Sequence, residues 1–110
     1  MNYIRMRAAA GAGRIERDLL IGIDGVVDVQ TAANHIKIIY DTVFLTNNAA
    51  QTIYTDIILA AYTPTANDKA NLLAAMEKSV KAPSSIPYFT LEEDGKIASY
   101  AYAANIDKPV

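Results

Sequence analysis

Short runs of β-branched and aromatic residues fill most of this chain. Each ends within a few positions at glycine, asparagine, aspartate or proline. That punctuation restricts the chain to small antiparallel sheets. Residues 2–9 set the pattern: Tyr3, Arg5 and Arg7 fall on one face and Ile4, Met6 and Ala8 on the other, the period of a half-buried strand. Gly11-Ala12-Gly13 breaks it with a loop. Residues 19–23 predict a second strand, Asp24-Gly25 a tight turn or bulge, and residues 26–29 a third run. A turn is expected at residues 31–34, then a strand at 35–40 (HIKIIY), continued or followed by Val43-Phe44-Leu45. Asn47-Asn48 marks another turn, and residues 52–61 another strand.

One stretch behaves differently. Residues 66–81 hold good helix formers without glycine or proline. Thr63-Pro64 supplies an N-cap and a proline at the first helical position, which predicts a helix over about 64–81, stopped before Pro83. Ala66, Ala70, Leu73, Met76, Glu77 and Val80 fall near one face, with Leu73, Met76 and Val80 expected in the core. Beyond it, Asp94-Gly95 suits a type I′ turn, so residues 87–103 read as a hairpin. Its register would gather Phe89, Leu91, Ala98, Tyr100 and Tyr102 on one face. Residues 105–110 read as a loose tail.

The 110 residues fit one domain, 1–110, and a hydrophobic share of 52% is enough for a core. The expected fold is therefore mainly β (α+β): a small, strongly bent sheet or barrel with one helix and a C-terminal hairpin. Arg5 and Arg7 interrupt the N-terminal apolar residues, so no signal peptide is expected, and no apolar run is long enough for a membrane span.

Chemistry-bearing residues are few. The absence of cysteine excludes disulfides, thiolate metal sites and a thiol nucleophile. His35 is the only histidine and sits at the start of a strand, so no triad or zinc set assembles around it. The acids Glu92, Glu93 and Asp94 read as a solvated turn. Gly11-Ala12-Gly13-Arg14 lacks the lysine and hydroxyl residue of a phosphate loop. We therefore expect no enzyme, no catalytic residues, no metal and no cofactor.

Charge offers one functional lead. The net charge is −2, yet residues 1–17 carry +3 and the remainder −5. Tyr3, Arg5, Arg7, Arg14 and Arg17, with Lys37 on another strand, are the candidate nucleic-acid contacts, through stacking and phosphate pairing. Assembly is the second lead. Sheet edges and a high apolar content suit pairing with further copies of the chain.

Residues 3–6 (YIRM), 20–30 (LIGIDGVVDVQ), 35–40 (HIKIIY) and a helix ending near Val80 resemble, over residues 2–80, a group of small marine cyanophage proteins. That group is similar to Sm-like (LSm-like) β-barrel proteins. The resemblance implies a ring-forming homo-oligomer, located in host cytoplasm or the virion, with other virion proteins or RNA as further partners. Asp41 and Asn47-Asn48 occur here without an Arg-Gly pair, so the uridine pocket of the RNA-binding Sm family does not carry over. The leading expectation is a non-enzymatic, oligomer-forming phage accessory or virion-associated protein. The alternatives are an Sm-like ring binding RNA or single-stranded nucleic acid, and a small α+β enzyme.

Overall fold

The computed structural model describes residues 2–10, 15–46 and 49–105. Its elements run β1 (Tyr3–Ala8), β2 (Arg17–Gly22), β3 (Val26–Ala32), β4 (His35–Thr46), β5 (Ala49–Leu59), α1 (Ala66–Lys81) and β6 (Ile97–Asn105). The protein is mainly β, with one helix. The strands form a two-stranded sheet, β1-β2, and a four-stranded sheet, β3-β4-β5-β6, all antiparallel. The expected Asn47-Asn48 turn, the loop at 11–13 and Arg14 lie outside the described residues, as does the tail beyond Asn105. Among the described residues no helix is long and apolar enough to cross a membrane.

Alternation in β1 does what period two requires. Ile4, Met6 and Ala8 are buried, and Leu19 and Ile21 of β2 join them on the same face. Ile36 and Ile38 of β4, Ile57 of β5 and Val29 of β3 line the opposing sheet. The two sheets meet around this core but do not close into a barrel, which corrects the barrel expectation. Their junctions are single bonds rather than continuous ladders. Ala9 N–H donates to Ile97 O at 2.8 Å, and the Tyr40 hydroxyl of β4 donates to Gly22 O of β2 at 2.6 Å. Thr55, fully buried on β5, completes the Tyr40 site at 2.8 Å. Burial, partly opposed by the Thr55 bond, pushes the Tyr40 phenol above its ordinary pKa.

The turn at Asp24-Gly25 links the sheets covalently. Gly25 has φ 79°, a backbone conformation that strains any residue with a side chain; a Cβ there would also displace the carboxylate of Asp41, 2.7 Å away. The register slips between Val26 and Asp28, a bulge that leaves Val27 outside the ladder and exposed.

Residues 87–103 do not form the expected hairpin. Only Gly95 of the turn pair has a positive φ (81°), whereas a type I′ turn needs one at both central residues. Residues 87–89 instead run beside β1. Arg5 N–H donates to Pro87 O at 3.0 Å, and Phe89 N–H donates to Arg5 O at 2.8 Å. This satisfies the free side of β1 and buries Phe89 and Leu91 in the core. β6 pairs with β5; on it Tyr100 and Tyr102 meet edge-to-face at 5.6 Å, and Tyr100 packs against the core that holds Phe89 and Leu91.

The helix begins two residues later than Thr63-Pro64 implies. Thr65 is the N-cap, in a capping box with Asp68. Its buried face is Asp68, Leu72, Ala75, Met76 and Ser79; Leu73 and Val80, expected inside, are 46% and 58% exposed. Ser79 Oγ donates to Tyr3 O at 2.8 Å and fixes the helix against β1.

Asp68 is the fold's densest polar node. Its carboxylate accepts from the Tyr62 hydroxyl (2.6 Å), Thr65 N–H (2.8 Å) and Glu92 N–H (2.7 Å). Burial alone would raise this carboxyl, but those donors outweigh it and hold the pKa below the ordinary value. The Tyr62 phenol is pushed up to about 12, chiefly by its bond to Asp68. Asp68→Ala strands three donors and is expected to cost roughly 2–4 kcal/mol in urea unfolding. Because the folded pKa is depressed, the stabilisation is complete above the unfolded value of about 3.9 and disappears as pH falls through the folded value. Unfolding free energies measured between neutral and acidic pH should show this loss in the wild type. Asp68→Asn should lack that share of the pH dependence.

Candidate functional site

Three surfaces gather side chains that could act on another molecule. The first is the outer face of β1-β2. The register sets Arg5 opposite Leu20 and Arg7 opposite Asp18. The Arg5 guanidinium lies over the Tyr88 ring, 5.1 Å from its centroid. Arg5 Nε is buried and has no hydrogen-bond partner among the described residues. Arg7 pairs with Glu16 at 2.6 Å and Asp18 at 3.3 Å, while the Tyr88 hydroxyl donates to Asp18 at 2.8 Å. The hydrogen bond that Arg7 donates to Glu16, with Tyr88 and the charge of Asp18, raises the guanidinium pKa further.

These partners change what the basic strand can offer. Tyr3, Arg5 and Arg7 do share one face, as their alternation requires. Arg7, however, faces two carboxylates, and Arg5 is half-buried against an aromatic ring. Arg17 is exposed at the far end of β2, opposite Ala8 and on the other face of the ladder. Lys37 sits on the other sheet, its ammonium 4.8 Å from the Tyr54 ring centroid and its backbone opposite Asp56. The structure therefore brings together Tyr3, Arg5 and Arg7, and places Arg17 and Lys37 elsewhere. Tyr88, Asp18 and Glu16 complete the site, and the sequence reading missed them. Antiparallel pairing of residues 3–8 with 17–22 would have exposed the Arg7–Asp18 opposition; the approach of Tyr88 across the fold has no local signal.

The second surface surrounds the single histidine. His35 Nδ1 lies 3.0 Å from Asp56 Oδ1 on the neighbouring strand. No group of three or more histidine or acidic side chains suited to a metal occurs among the described residues.

The third surface is an open groove of about 480 Å³ between α1 and the edge strand β3. Val26, Val27 and Val29 form one wall, and Leu73, Met76 and Val80 the other, with Asp28, Lys69 and Glu77 at the rim. Val27 is 62% exposed, so this wall and the outward face of α1 leave large apolar side chains in water. The helix periodicity selects the right residues for this stripe; which side of the helix meets the core is decided by the inward turn of Asp68 and Ser79.

No protein-family model matches the chain, and no curated protein or solved structure matches it.

The neutralised state of Arg7 is open to a simple check. Glu16→Gln with Asp18→Asn frees the guanidinium, and elution from a heparin column should move to higher salt. Arg7→Ala in the wild-type background should move it much less than Arg7→Ala in the doubly neutralised variant.

Proposed function

We propose that this chain is a non-enzymatic domain that works by self-association, with the groove between α1 and β3 as its contact surface. The observation that carries this reading is the coincidence of Val27, Leu73 and Val80, all exposed, along one groove. Their placement leaves apolar area in water that a second chain would remove, the dominant favourable contribution in most protein association. The rim is mixed in sign, with Lys69 facing the same opening as Asp28 and Glu77. That arrangement suits a self-complementary contact better than a polyanion.

One further observation weighs against the nucleic-acid alternative: the basic strand is met by the carboxylates of Glu16 and Asp18, which diminishes its pull on phosphate. The resemblance over residues 2–80 is the ground for proposing that such an oligomer is a phage accessory or virion-associated protein.

Light scattering at micromolar concentration should give a whole-number multiple of the chain mass, and a single-chain mass would overturn the reading. Val27→Asp with Val80→Asp should shift the population to single chains. Both side chains are exposed in the isolated subunit, so each change should alter subunit stability by no more than about 0.5 kcal/mol, visible as an unchanged far-UV spectrum and near-unchanged melting.

A further inference from the structure

Strand-edge pairing is the obvious way for a small β domain to self-associate, but β3 is poorly prepared for it. The bulge at Val27 interrupts the edge. Asp28 Oδ1 accepts the Val29 N–H at 2.8 Å, which occupies a donor that an incoming strand would need. Asp28 also holds Gln30 through Oδ2 at 3.0 Å. The opposite wall of the groove carries no such obstruction.

We infer that the occupant of this groove is α1 of a second copy, packed antiparallel about a two-fold axis that passes beside Leu73. The inference rests on the self-association reading and fixes its geometry. An isologous contact must present one patch that complements itself when reversed. The outward stripe of α1 does so about Leu73. Lys69 and Glu77 stand four residues to either side, about 6 Å along the helix at 1.5 Å per residue. Reversal therefore brings Lys69 of one copy to the level of Glu77 of the other, twice by symmetry. It also sets Leu73 beside Leu73, Ala70 level with Met76, and Ala66 level with Val80.

Size and charge complementarity agree along this stripe. Val80, exposed on this stripe, meets the small Ala66, and Ala70 lies level with the largely buried Met76, which allows the helices to approach closely. The two rim charges of opposite sign meet each other, whereas a parallel arrangement would set Lys69 against Lys69 and Glu77 against Glu77. In the isolated subunit Glu77 is held by Lys81 at 2.6 Å, an exposed pair one turn apart, and the Lys81 bond keeps the Glu77 carboxyl below its ordinary pKa. The groove beside Met76 leaves room for side chains of the second copy.

The chain has no cysteine, so single thiols report proximity without background. Leu73→Cys should form a disulfide-linked dimer under mild oxidation of the full chain. Val80→Cys alone should not, but mixed with Ala66→Cys it should yield the heterodimer. Lys69→Glu should weaken the dimer roughly tenfold or more, as should Glu77→Lys, and the double reversal should restore it to near wild type. A wild-type dimer that links through Gln30→Cys and not through Leu73→Cys would overturn the helix pairing while leaving self-association intact. A dimer insensitive to both charge reversals would do the same. A wild-type single chain at micromolar concentration would remove both.

Discussion

A buried carboxylate with three protein donors organises the helical side of this molecule. Asp68 lies at the third position of α1, yet its bonds reach Tyr62 before the helix and Glu92 beyond it. Burying that charge is costly, and the donors offset the cost only while all of them stay in place. The helix start, the chain leaving β5 and the chain approaching β6 are thereby coupled. Thr65 extends the same network, since its hydroxyl accepts from Asp68 N–H and donates to Glu92 at 2.6 Å. With the first turn held this way, Leu72, Met76 and Ser79 turn toward β1, and the stripe through Leu73 is left facing outward.

The sheets are joined with similar economy. Tyr40 spans from the four-stranded sheet to the end of β2, and Thr55 leaves no polar atom of that phenol without a partner. Residues 87–89 then occupy the open side of β1, so this strand has backbone partners on both sides. A strand that looked like the arm of a basic surface is instead a central element, and its outward arginines are balanced by neighbours. Arg7 meets Glu16 and Asp18 because its own sheet register brings them there.

The shape of the exposed apolar surface follows from this arrangement. The bulge in β3 and the side chain of Asp28 discourage extension of the larger sheet at that edge. Val27, Leu73 and Val80 leave an exposed apolar area between this edge and α1. The helix carries one buried face, through Leu72 and Ser79, and one outward apolar stripe, through Leu73 and Val80.

Local chemistry determined the type of most elements and several of their limits. The alternation in β1, the turn residues at Asp24-Gly25 and the helix over Ala66–Lys81 each answer to backbone preferences within a few residues. Even the capping box is written locally, as a threonine followed three positions later by an aspartate. Tertiary structure decided which elements pair and which face turns inward. Residues 87–91 joined β1 instead of the strand beyond Gly95, because the unpaired groups of Arg5 and a core site for Phe89 outweighed one turn of imperfect geometry. The same holds for Leu73 and Val80. Periodicity places them together on one stripe, but only the packing of Asp68 and Ser79 against distant chain determines that this stripe meets water, since burial depends on contacts far apart in sequence.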